Sequence, residues 1–153
     1  MKMQVRRQPK LSPNFLIKDG DIQLTDVNAV ISQIDTGYSQ YEWDGLSINV
    51  RPLISLEESI ELVDTVIQSC INPKSHMFMP ELIDLLFRVS VIRFYTDLDL
   101  PDTLQNQHLL VYGTSIYDDV LEVVQIGQIE SMQKCLQLFA MHMLGGGRSE
   151  SWT

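Results

Sequence analysis

The sequence is short of basic residues, of cysteine and of long apolar runs. It has 11 Lys and Arg against 20 Asp and Glu in 153 residues, a formal net charge of −9. An acidic chain repels phosphate over a screening length of about 8 Å at physiological salt, so direct contact with nucleic acid is not expected. Two cysteines, Cys70 and Cys135, are too few for a disulfide framework. Reduced thiols and a cytosolic compartment are therefore the expectation. No apolar run approaches the ~18 residues of a membrane-spanning helix, and no apolar stretch follows the basic start as in a signal peptide. Neither a membrane partner nor secretion is expected. No G-x-G-x-x-G, P-loop, C-x-x-C, H-E-x-x-H or G-x-S-x-G pattern occurs, so no familiar phosphate cradle, metal site or nucleophile is marked.

What is present is a globular composition, 44% hydrophobic and 20% charged. A chain of this length hides about 70% of its unfolded surface and can build a core without staples. Charge is unevenly placed. Residues 1–18 carry Lys2, Arg6, Arg7, Lys10 and Lys18 with no acid, while the remainder holds six basic residues against twenty acids. A basic arm on an acidic body marks an interaction tail, and Lys2, Arg6, Arg7 and Lys10 are its candidate contacts. A solvated terminus explains the same charges equally well.

The first third reads as short strands. Phe15-Leu16-Ile17 leads to Asp19-Gly20, and Ile22 and Leu24 then alternate with polar residues. The pattern recurs with Tyr41 and Trp43, the turn Asp44-Gly45, and Leu46, Ile48 and Val50. Asp-Gly between alternating runs signals a tight hairpin, because both turn residues need positive φ. Tyr41 and Trp43 are candidate partner contacts, with cross-strand packing as the competing role. Between the hairpins, Val27, Val30, Ile31 and Ile34 have helical spacing, although a strand is possible there too.

From Ser55 the pattern is helical. Ser55 and Glu58 form a capping box, and Leu56, Ile60, Val63, Ile67 and Cys70 share a stripe. Residues 80–96 are apolar nearly all round, the mark of a helix wrapped by others. On it Asp84 and Arg88 form an expected ion pair, buried or at an interface, and Arg93 and Asp97 a second pair. A short segment from Leu100 to Gly113 follows, then a helix capped by Thr114 or Ser115. The last helix carries Ile129, Met132, Leu136, Phe139 and Met143 at heptad spacing. Both cysteines fall in or beside apolar stripes and read as core thiols. Asp97/Asp99 and Asp118/Asp119 read as caps and solvated faces rather than cation sites. His76, His108 and His142 are isolated, so no metal and no cofactor is expected.

The resulting organisation is α+β and mainly α: a basic arm at 1–13, hairpins at 14–52, a compact bundle of four to five helices at 53–145 and a flexible tail at 146–153.

Trp43-Asp44-Gly45-Leu46, Asn49-Val50, Leu56, Val63, Val66 and Ser69-Cys70 resemble small proteins of tailed phages and prophages of Gram-positive bacteria. The likeness continues through Met79-Pro80-Glu81, Asp84, Tyr95-Thr96, Leu100-Pro101 and Val111-Tyr112, and spans residues 41–137. Such proteins are encoded near virion morphogenesis genes. The resemblance implies a virion part without an active site, either a head–tail connector component or a capsid-associated protein. Its partners would be further copies of itself and other phage structural proteins, in the virion and, during assembly, the host cytoplasm. The alternatives are a tail-assembly chaperone, an acidic inhibitor of a host protein, and an enzyme whose site leaves no local motif.

Overall fold

A computed structural model describes the backbone of residues 4–5, and residues 26–145 in full. The arm residues Lys2, Arg6, Arg7 and Lys10, the hairpin expected around Asp19-Gly20 and the tail 146–153 lie outside the described residues. Among the described residues the chain is mainly helical with a small antiparallel sheet ahead of the helical body, as the periodicities predict.

The sheet contains β1 (Gln4–Val5), β2 (Ser39–Trp43) and β3 (Leu46–Val50) in that spatial order. Helix α1 (Val27–Ser32) lies between β1 and β2 in the chain. Asp44 and Gly45 join β2 to β3 with φ of 49° and 77°, so both occupy the left-handed region that a two-residue type I′ turn needs. Trp43 therefore pairs with Leu46, and the register runs to Ser39 opposite Val50. The alternation buries Ser39, Tyr41 and Trp43 on one face of β2 and Ile48 and Val50 on the same face of β3.

The free edge of β3 is closed by the chain after the central helix. Val50 bridges to Thr96, and the Asp97 N–H donates to the Asn49 carbonyl at 3.1 Å. Asn49 returns two bonds to the Asp97 carboxylate, from its N–H and its Nδ2, each 2.8 Å. This use of Asp97 replaces the expected pairing with Arg93.

Five helices build the body: α2 (Leu56–Ser69), α3 (Ile83–Tyr95), α4 (Leu104–Gly113), α5 (Ile116–Leu121) and α6 (Ile126–Leu144). The capping box at the start of α2 is formed, with Glu58 N–H donating to Ser55 Oγ and Ser55 N–H donating to Glu58 Oε1. Pro80 opens a single 3₁₀ turn (Pro80–Leu82) ahead of α3, where its missing N–H costs nothing. α3 is central, packing against α2, α4, α5 and α6. It buries Leu85, Phe87, Val89, Ser90, Val91, Ile92 and Tyr95.

The buried face of α2 differs from the predicted stripe. Leu62, Val66 and Cys70 point inward, while Leu56 and Ile60 are exposed. Val63 and Ile67 of that stripe are half-buried and pack against the core, so the stripe holds in its later part and fails at Leu56 and Ile60. On α6, Ile129, Met132 and Leu136 are buried as expected, but the stripe stops there: Phe139 is half-buried and Met143 is exposed.

Candidate interaction surfaces

Tyr41 and Trp43 do not form an outer surface. They are 5% and 4% exposed, so their expected role in partner contact is replaced by core packing. The cause is the inward turn of the hairpin face, which helices of the same chain cover. Trp43 Nε1 donates to Asp119 Oδ2 at 3.1 Å, and Ser115 Oγ donates to the same oxygen at 2.8 Å. Asp119 is itself 3% exposed, so it is a buried acceptor and not the solvated acid the sequence suggested. Its place at i+3 from Ile116, on that helix's apolar side, is the signal that would have found it.

A second anchor joins the sheet to the helices. Gln128 Nε2 donates to the Ile54 carbonyl at 3.0 Å, and Gln128 Oε1 accepts from the Ile54 N–H at 3.1 Å. Tyr95 Oη donates to that Oε1 at 2.5 Å. Burial drives the Tyr95 phenol well above its ordinary pKa, so it stays a donor. Arg51 ion-pairs with Glu58 and donates to the Phe94 carbonyl from Nε at 3.1 Å and Nη2 at 2.8 Å. The bond from Arg51, and then the Ser55 backbone N–H, hold the Glu58 carboxyl below its usual range. Nothing in the sequence marks Gln128, because an amide that completes a backbone pairing has no spacing rule.

Asp84 and Arg88 do pair, with Arg88 Nε donating to Asp84 Oδ2 at 2.9 Å. The pair is not buried, since its side chains keep 30% and 56% exposure for Arg88 and Asp84. The Arg88 guanidinium lies over two rings, 4.6 Å from the Tyr117 centroid and 5.4 Å from that of Tyr112. Tyr112 Oη donates to Asp84 as well. Burial first, and the Asp84 bond second, push the Tyr112 phenol up to about 12. Asp84 also lines a hollow of about 230 Å³ with Pro80, Ile83, Phe87, Gln133, Leu136 and Gln137. Among the described residues no group of three or more His, Cys, Asp or Glu could hold a metal ion.

The two thiols differ. Cys70 is fully buried and its pKa is pushed up to about 11, by burial first and by Glu81 second. Cys135 is exposed, correcting the expectation of two core thiols. It is one residue from the buried Leu136, and that step turns a helical side chain by about 100°, out of the packed face.

Outward apolar residues occur along the body, Leu46, Leu56, Ile60, Leu104 and Leu109 among them, and two stretches carry several each. Helix α1 forms as its spacing predicts, with Asp26 accepting the Ala29 N–H at 3.1 Å as its cap. Yet it buries no residue, and Val27, Ile31 and Ile34 are 58%, 56% and 45% exposed. The end of α6 likewise presents Leu138, Met141, Met143 and Leu144. Among the described residues no helix is long and apolar enough to cross a membrane.

Comparison with family models, with curated proteins and with solved structures returns no match.

Proposed function

We propose that this chain is a non-enzymatic structural protein of a tailed bacteriophage, a head–tail connector component or capsid-associated protein that works by protein–protein assembly. The observation that carries the reading is α1. A helix with a regular apolar stripe that buries no residue in its own body presents a surface suited to a protein neighbour. The end of α6 adds a second such surface. The resemblance of residues 41–137 to phage proteins encoded beside morphogenesis genes supplies the class of neighbour. The partners in this reading are further copies of the chain and other virion proteins, met in the host cytoplasm and retained in the particle.

Particles induced from the strain that encodes the chain test the reading. Its presence in purified, nuclease-treated particles at a fixed ratio to the other structural proteins is the expected result. Its absence from particles, with the chain bound to a tail protein in the lysate, would replace the reading with an assembly chaperone. Light scattering of the pure protein at two salt concentrations tests the self-association. A defined oligomer is expected, and a monomer at both salts would remove copies of itself from the partner list.

A further inference from the structure

The hollow beside Asp84 has a mixed lining. It measures about 230 Å³ and lies between the start of α3, with the turn before it, and the middle of α6. Its apolar walls are Pro80, Ile83, Phe87 and Leu136, and its polar groups are Asp84, Gln133 and Gln137. Pockets for free drug-sized ligands hold about 300–1,000 Å³. This one is smaller and has the room of a single long side chain.

The polar groups have bonding capacity left. Asp84 accepts from Arg88 Nε and from Tyr112 Oη, and both bonds fall on Oδ2. Its Oδ1 accepts no bond among the described residues. The amides of Gln133 and Gln137 make no hydrogen bond among the described residues either. Gln128 on the same helix, by contrast, has both ends of its amide bonded to Ile54.

Charge selects what enters. Of the Asp84–Arg88 pair only the carboxylate lines the hollow, because the guanidinium lies over the Tyr117 and Tyr112 rings. Glu130 precedes Gln133 by three residues and Gln137 by seven, so the three share one stripe of α6. Glu81 precedes Asp84 by three residues, and both glutamates are exposed. Lys134 follows Gln133 but is turned by about 100° from it and is not in the lining. A cation is therefore favoured, and the apolar walls favour one with a hydrocarbon stem and weak hydration. Arginine meets both demands. Its stem suits Pro80, Ile83 and Leu136, its planar head suits an aromatic wall such as Phe87, and its five N–H donors suit several acceptors at once. An ammonium is more strongly hydrated and loses more on leaving water.

We infer that this hollow is the socket for an arginine side chain presented by a neighbouring protein, with Asp84, Gln133 and Gln137 holding the guanidinium. The inference deepens the assembly reading, on which it rests for the neighbour, by giving the chemistry of that neighbour's anchor. Arginine is among the residues that most often dominate the energy of such contacts.

The probe is Nα-acetyl-arginine methylamide, titrated into the isotope-labelled full chain and followed by amide chemical shifts. Saturable shifts of the Gln133 and Gln137 side-chain amides are expected. The lysine analogue should bind more weakly. The norleucine analogue, which keeps a stem and loses the charge, should bind roughly tenfold more weakly or worse, as expected for one lost bond to a charged group. Asp84→Asn should weaken the arginine probe by about fivefold. Gln133→Leu should weaken it too, and since Gln133 makes no bond within the described fold, that loss reports the socket and not unfolding. Affinity for the arginine probe no higher than for the lysine or norleucine analogue would overturn the inference. So would shifts that do not saturate or that spare both glutamines, and so would unchanged affinity in both variants. Saturable, charge-dependent binding by a chain absent from particles would keep the socket and remove the virion reading. A chain present in particles that ignores the arginine probe would keep that reading and remove the socket.

Discussion

Replacing Asp119 by alanine takes away the acceptor that holds a buried donor, the Trp43 indole N–H at 3.1 Å, and a half-buried one, the Ser115 hydroxyl at 2.8 Å. Trp43 and Asp119 are 4% and 3% exposed, so water does not replace the lost partner without a rearrangement. A buried donor left unsatisfied costs about 1–3 kcal/mol. Asp119→Ala should therefore destabilise the fold by about 1–3 kcal/mol, chiefly through the indole, because the half-buried Ser115 hydroxyl can turn elsewhere. Trp43→Phe should cost about 2–4 kcal/mol through the lost bond and the smaller ring in a packed site. The two losses share one bond, so they should not add. The double variant should fall short of the sum by about 1.5–3 kcal/mol, the range expected for a hydrogen bond to a charged group. The assay is urea unfolding followed by far-ultraviolet circular dichroism, which does not depend on the tryptophan being replaced. Additivity within about 0.3 kcal/mol would show that the indole and the carboxylate act independently, and would refute the latch between hairpin and helix.

Gly45→Ala places a side chain at φ of 77° with open space around it, so only the backbone conformation opposes it; a loss of about 1–2 kcal/mol in the same unfolding assay is expected. The depressed pKa of Glu58 contributes stability above the ordinary carboxylate range, and that contribution is lost as pH falls through the lower folded value. Unfolding midpoints measured below about pH 4.3 should thus fall more steeply for the native chain than for Glu58→Gln. In native protein a thiol reagent should label Cys135 quickly and leave Cys70 untouched, with the second thiol appearing only in denaturant; prompt native labelling of both would contradict the burial of Cys70.

The features legible in the sequence are those with a local physical cause. Asp44-Gly45 announces its turn because few residue pairs adopt two left-handed conformations in succession. Ser55 and Glu58 announce the start of α2 because they satisfy each other's backbone. α3 announces its central place because an all-round apolar helix has nowhere else to go. Alternation on β2 shows that Tyr41 and Trp43 share a face, but it does not say what covers that face; the covering residues, Asp119 among them, lie some 76 positions away. The α2 stripe was displaced for a similar reason. Leu56 and Ile60 have suitable spacing, yet the side turned to the core is the one carrying Leu62, Val66 and Cys70, with Val63 and Ile67 half-buried beside it. The arm, which carries the charge argument, shows nothing in its composition of the strand at Gln4–Val5, because two residues are too few for any periodicity.

Gln128 occupies the position of a strand partner. By holding both the N–H and the carbonyl of Ile54, it does with one side chain what a neighbouring strand does with its backbone. The link is doubled where the Gln125 N–H donates to the Pro52 carbonyl at 2.9 Å. The crossover from hairpin to helices is thus fastened to the first turn of α6, more than seventy residues later in the chain. Neither can open alone. The amide hydrogens of Ile54 and Gln125 should exchange with solvent through one shared opening event, at matching rates under native conditions, which makes the sheet and the helical body a single cooperative unit.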